Sequence, residues 1–208
     1  MNIPFKQNKW LQLLVVVLAI FWVVLAIRPT NRTQWFLENL LLIAALLTLA
    51  LTYKKFSFSN LSYTLIFIFL CLHAYAAHYA YQNTPFDVWL KASFHTQRSY
   101  FDRVVHFAFG LCWTYPFREL YVCISTQRKL WTYVIPAAVV FSCSAFFEIL
   151  EVAVAYAASL IGRAGQVGED YLGLQGDIYD SQKDMGLGLL GAIVAMGITA
   201  GIIRAKEK

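Results

Sequence analysis

Charge is what this chain has least of. Lys, Arg, Asp and Glu together make up 14% of its 208 residues, against about a quarter in ordinary soluble domains, while hydrophobic residues make up 59%. So little charge argues against a water-solvated globule and points to lipid as the solvent. Nucleic-acid binding is excluded as well. The net charge is +5, but Lys and Arg occur in pairs at the ends of apolar runs, with no basic stripe carrying interleaved aromatics. Cysteine is equally uninformative as a ligand: Cys71, Cys112, Cys123 and Cys143 fall inside apolar runs without metal-type pair spacing. That removes a disulfide framework and leaves small core residues. There is no internal repeat, which counts against a secondary transporter built from inverted halves, and no low-complexity segment.

What is present is a series of long apolar runs, roughly 10–27, 35–53, 61–82, 104–124, 131–157 and 185–203. Each approaches or exceeds the ~18–20 residues that cross about 30 Å of hydrocarbon as a helix. The expected fold is all-α, one multi-pass domain over 1–208 with about six transmembrane helices. Lys6 and Lys9 precede the first run as they would in a secretion signal, but the run ends at Ile27-Arg28-Pro29 with no small-residue cleavage pattern. It is read as a permanent helix. Trp10, Trp35, Tyr53, Trp89, Trp113, Trp131 and Tyr133 lie near run ends, where amphipathic rings anchor a helix at the interface.

An even number of crossings puts both termini on one side. Cytoplasmic termini assign ten basic residues to that side: Lys6, Lys9, Lys54, Lys55, Arg118, Arg128, Lys129, Arg204, Lys206 and Lys208. The remaining seven are Arg28, Arg32, Lys91, Arg98, Arg103, Arg163 and Lys183. This positive-inside bias sets the expected orientation.

The acids run the other way. Ten of twelve, including Glu38, Asp87, Glu169 and Asp170, fall on or toward the outer side; Glu119 and Glu207 lie inward. Three clusters sit at the outer ends of three helices. In "FDRVVHFAFG" Asp102 and His106 are four apart and share a helix face, which Gly110 continues. In "FSCSAFFEILE" Glu148 and Glu151 share a face with Ser144. In "GDIYDSQKDMGLGLLGA" Asp177, Asp180 and Asp184 form one stripe that continues as Gly188, Gly191 and Ala195, with Gly186 nearby. Small residues at that spacing let helix backbones approach closely in a membrane.

Each cluster has a modest explanation beside the functional one. Asp102 and the aspartates before the last run suit helix N-termini, and Glu148 with Glu151 could be neutralised for packing alone. Yet a charge in mid-bilayer costs at least about 2.5–3.5 kcal/mol, and six carboxylates gathered together must be protonated, paired or bound to metal. The available partners are His106, Arg98, Arg103 and Lys183, with His78 in possible reach. His106, Glu148, Glu151, Asp177, Asp180 and Asp184 form a candidate divalent-metal set for Zn, Mn or Fe, or Mg without the histidine. His106, Glu148, Glu151 and Asp102 are the candidate catalytic groups, Asp102 orienting His106. Arg98 and Arg103 would hold an anionic substrate group. His73 is expected to be a satisfied core histidine and His95 a loop residue. Arg118 and Glu119 are expected to make interfacial contacts, Pro116 to kink its helix, and Glu169 with Asp170 to be solvated.

At the same three stretches the chain resembles the YjdF-type bacterial inner-membrane proteins along essentially its whole length. That resemblance implies an integral, multi-pass protein of the bacterial inner membrane and no activity. More distantly, the order Asp102-x-x-x-His106-Phe107, then Glu148, then Asp180 or Asp184, is similar to the VanZ-like family linked to glycopeptide resistance. That likeness implies cell-envelope or lipid-linked chemistry. Arg103 stands where those chains commonly carry Lys, and Asp184 where they carry Asn. The leading expectation is a small enzyme, metal-dependent if the carboxylates bind a cation, acting on a lipid or lipid-linked envelope substrate at the outer face with membrane lipids around it. The alternatives are a cation- or proton-coupled carrier, and a structural or regulatory membrane protein.

Overall fold

The computed structural model describes residues 4–96, 98–126, 129–160 and 177–207. Arg128, Arg163, Glu169, Asp170 and Lys208 lie outside them. The described residues contain helices and no strands. After a 3-10 turn at Phe5–Gln7 come α1 (Lys9–Leu25), α2 (Arg32–Thr52), α3 (Asn60–His78), α4 (Pro85–Phe94), α5 (Phe101–Ile124), α6 (Trp131–Leu160) and α7 (Asp180–Lys206). Six of these correspond to the six apolar runs. α2, α3, α6 and α7 are long and apolar enough to cross a membrane by themselves. α1, with 17 residues, is about 25 Å long. α5 has 24 residues, and its polar groups turn into the bundle, so it reads as less apolar than its neighbours although its length spans the core.

Local chemistry explains the helix starts. Asn8 accepts from the Leu11 amide, Asn31 from Thr33 and Gln34, Ser59 from Ser62, and Thr84 from Asp87. Each is a side-chain N-cap that satisfies otherwise orphaned donors. α3 receives a second cap from a distant helix: the Glu119 carboxylate on α5 accepts from the Ser59 amide at 2.6 Å, from the Ser59 hydroxyl at 2.8 Å, and from the Ser62 hydroxyl. Beside it the Arg118 guanidinium lies 5.1 Å from the Tyr133 ring centroid. α5 continues unbroken through Pro116, which is fully buried.

α4 is the element that hydropathy alone does not announce. Thr84 caps it and Pro85 occupies its first turn. Val88, Trp89 and Phe94 stay exposed on its surface, as in a short helix lying in the interface plane. Asp87 is fully buried and uses both oxygens: Oδ2 accepts from Thr84 at 2.7 Å, while Oδ1 accepts from the Tyr100 and Phe101 amides at 2.6 and 3.2 Å. Tyr100 offers α5 no side-chain cap, so Asp87 caps α5 from another element and fixes where α5 begins.

α5 is the hub. It packs most extensively on α7 and also on α3 and α6, while α1 and α2 join through α3. Its seam with α7 follows the small residues: a Cβ added to Gly110 would fall on the Gly188 carbonyl and 2.8 Å from the Ala192 nitrogen, and one on Gly191 would strike Phe107 and Leu111 backbone atoms. Trp35 is buried against Trp22, and Trp113 is half-buried against Phe109 and Phe117. Burial wins there because their helices present those faces to neighbours. Trp10, Trp89 and Trp131 are half exposed near helix ends.

Candidate functional site

α5 and α7 both start at the end of the bundle where α6 finishes. Two helix N-termini, each favourable to negative charge by about 0.3–1 kcal/mol, therefore face the acidic stretch of α6. Asp102 and His106 project from the first turns of α5, Asp180 and Asp184 from those of α7, and Glu148 and Glu151 from α6. The three clusters expected from spacing come together.

They divide into two layers. At the mouth, Arg98 bonds Asp177 at 3.0 Å and also Asp180, and Arg103 bonds Asp177 at 2.9 Å and Asp180 at 3.2 Å. Lys183 joins Asp177 at 2.6 Å. Asp177 lies ahead of α7, and its carboxyl is lowered to about 2, first by the Lys183 hydrogen bond and then by the Tyr179 amide, the Lys183 charge and Arg103. Its contribution to the clamp is complete above the ordinary carboxylate range near 3.8 and lost as pH falls through about 2. Arg98 and Arg103, expected to hold substrate, hold the start of α7 against the start of α5.

The second layer is deeper. His106 Nε2 is 3.7 Å from Asp102 Oδ1 and 3.4 Å from Glu148 Oε1. Ligand atoms of Asp102, His106 and Asp184 all lie within 4.8 Å of one another. His106, Glu148 and Asp184 are 6%, 7% and 3% exposed. Ser181 donates to the Glu148 carboxyl, but Glu148 Oε1, Asp184 Oδ1 and the Ser144 hydroxyl are buried without a hydrogen-bond partner among the described residues. Orphaned buried acceptors cost about 1–3 kcal/mol each, more if charged. Arg103 Nε is 3.9 Å from Asp184, too long for a hydrogen bond. Glu151, one turn from Glu148, is half-buried. Six carboxylates thus face three fixed cations, Arg98, Arg103 and Lys183, and the mouth uses all three.

The other histidines are engaged. His73 Nε2 lies 3.1 Å from the Glu38 carbonyl, which can only accept, so Nε2 carries the proton and Nδ1 accepts from the Tyr81 hydroxyl at 2.6 Å. His78 Nδ1 donates to the Leu25 carbonyl at 2.7 Å, away from the site. His95 ends α4 in the left-handed region. Ala80 and Tyr81 are also left-handed, at φ 51° and 57°, an uncommon pair for residues with a Cβ, and the curl returns Tyr81 to His73. The residue the spacing argument missed is Glu38 on α2, 2% exposed, beside Tyr81 and with Oε2 unpartnered among the described residues. It stands alone in an apolar run, without the paired spacing that marks the other acids.

A helical membrane bundle with a buried carboxylate–histidine centre is the class this geometry defines. Residues 10–205 match the family described as predicted membrane protein (DUF2238), and the chain belongs to that family. It is 30% identical over 185 residues, 86% of its own length and 83% of the relative's, to "Inner membrane protein YjdF" of Escherichia coli (strain K12). No solved structure matches it. These matches do not show a likeness to VanZ-like chains.

Proposed function

We propose that the protein is a small membrane enzyme whose centre is Asp102, His106, Glu148 and Asp184, acting on a lipid or lipid-linked envelope substrate at the outer face, with both termini cytoplasmic. The observation that carries this reading is the convergence on one imidazole of carboxylates from three helices, two of which, Glu148 and Asp184, are buried with an oxygen that has no hydrogen-bond partner among the described residues. A divalent cation bound by Asp102, His106 and Asp184 would satisfy the Asp184 acceptor and lower the cost of its neighbours' negative charge. Zn²⁺ ligands at about 2.0–2.2 Å from the metal sit roughly 3.3 Å apart in a tetrahedron, so the set needs contraction by about a side-chain rotation. Such a cation would supply Lewis-acid activation of water for attack on a phosphoryl or acyl group, and Glu148, beside the imidazole, would take the proton. Asp177 and Asp180 belong to the arginine clamp in this proposal, and Glu151 tunes the charge around Glu148.

The test is complementation of a deletion strain with isosteric variants at matched protein level. His106→Gln, Glu148→Gln and Asp184→Asn each lower rescue of an envelope or lipid phenotype by about 10²-fold or more, as expected for lost acid–base or metal function. Full rescue by all three would overturn the enzyme. The second reading, a cation- or proton-coupled carrier, is favoured by one observation: buried Glu38 extends the line of carboxylates through Tyr81 toward the centre of the bundle. Flux into proteoliposomes that stops in Glu38→Gln, with no turnover of lipid, would select it.

A further inference from the structure

Beside the polar centre lies a cavity of about 650 Å³ walled by α2, α3, α5 and α6. Its back is Leu70, Phe69, Phe109 and Trp113, and Phe117 with Ile135 closes the far end. His73, Tyr81, Asp102 and His106 line its other end. From Asp102 to Phe117 along α5 is fifteen residues, about 22 Å. One rim is carried by α6, where Ala138, Ser142 and Phe146 are exposed, and the other by α2, where Leu41 and Ala45 are half-buried. α2 joins the bundle through α3, whereas α6 packs on α5 and α7. The cavity therefore faces the bilayer from the side, and hydrocarbon is what meets its mouth.

We infer that this cavity seats one acyl chain of a phospholipid, entering sideways between α2 and α6, with the headgroup held at the Asp102–His106 end. The inference rests on the proposed lipid-directed enzyme and supplies its substrate class. Size selects the occupant. A methylene fills about the volume of a water molecule, roughly 30 Å³, so the cavity takes on the order of twenty carbons: one acyl chain, neither two chains nor a long polyprenyl tail. Water is a poor alternative, because a site for ordered water needs two to four polar partners for each molecule and the walls between the two ends are hydrocarbon and aromatic apart from Ser142 and Ser144. The length also fits: about 22 Å exceeds the roughly 15 Å of one leaflet's hydrocarbon, so a chain entering from the outer leaflet lies fully inside. Polar groups at one end and an apolar body are the usual layout of a small-ligand pocket, whose volumes run about 300–1,000 Å³.

The experiment uses the full chain in nanodiscs doped with phosphatidylethanolamine carrying a mid-chain diazirine, photolysed and mapped by peptide mass spectrometry. Labels concentrate on cavity residues such as Phe109, Trp113 and Cys143. Filling the cavity with Ala45→Trp or Cys143→Phe lowers that labelling about fivefold or more, whereas Ile193→Trp on the exposed face of α7 leaves it unchanged. Labels spread evenly over exposed faces such as those of α1 and α7 in the wild-type protein overturn the inference, a reading that needs no variant to fold. So does labelling at Phe109 and Trp113 that persists in well-folded filled variants. Glu148→Gln separates this inference from the enzyme beneath it. Retained cavity labelling with full complementation, by this variant and by His106→Gln and Asp184→Asn as well, keeps the lipid seat and removes the chemistry. Lost complementation with no cavity labelling in any protein keeps the chemistry and removes the seat.

Discussion

Replacing both Arg98 and Arg103 by Gln lowers the thermal midpoint of the purified protein by on the order of 6–20 °C. Asp180, with a side chain only 5% exposed, loses both of its partners, and Lys183 remains on Asp177. A buried carboxylate stripped of its cation costs about 3–5 kcal/mol, and each kcal/mol moves the midpoint of a chain this size by about 2–4 °C. The sign of a further change identifies the cause. Adding Asp180→Asn to the double variant removes the stranded charge and recovers at least half the loss, because coupled sites are not additive. If the triple variant is no better than the double, the arginines stabilise through packing and the clamp is misassigned.

Gly110→Ala and Gly191→Ala each destabilise by about 1–3 kcal/mol, the usual cost of overpacking a close interface, and both together cost more. The methyl group at either position meets main-chain atoms of the facing helix, Gly188 and Ala192 in one case, Phe107 and Leu111 in the other. Backbone cannot swing aside as a side chain can, so α5 and α7 must separate, and with them Asp102, His106 and Asp184. Gly197 and Gly201 lie on the same helix with nothing near an added Cβ. Alanine there is neutral or gains about 0.5–1 kcal/mol of helix stability. Thermal melts of the four single variants in one detergent check the contrast, and equal behaviour at all four positions would remove the close seam between α5 and α7.

The same contrast explains how much of the molecule is legible in the sequence. The six long helices are written in hydropathy, because a membrane asks every crossing segment for the same length of apolar residues. The pairing of α5 with α7 is written too, since Gly188, Gly191 and Ala195 at helical spacing have few other uses in lipid. α4 is not, because its ten residues are too few to make an apolar run of crossing length; its signature is local, Thr84 capping just ahead of Pro85. The carboxylates of Asp102, Glu148 and Asp184 announce themselves by cost and spacing, but their separation from Asp177 and Asp180 does not. Which acid meets an arginine and which meets His106 depends on the register between α5 and α7, and that register depends on Asp87 fixing the start of α5 from another element. Glu38 is hidden for a related reason: nothing in its own helix repeats its charge, and its Tyr81 partner arrives through a left-handed turn after α3.

In the proposed enzyme Asp102, His106 and Asp184 form one cation-binding centre. Elemental mass spectrometry of protein purified gently with Zn, Mn, Fe and Mg supplied tests it directly, beside an Asp102→Asn/Asp184→Asn variant with the same melting behaviour. The expected result is about one divalent ion per chain in the wild-type protein, as for a ligand set already gathered within reach of one ion, and little in the variant. A wild-type protein without stoichiometric metal, or a variant that holds as much, would contradict it.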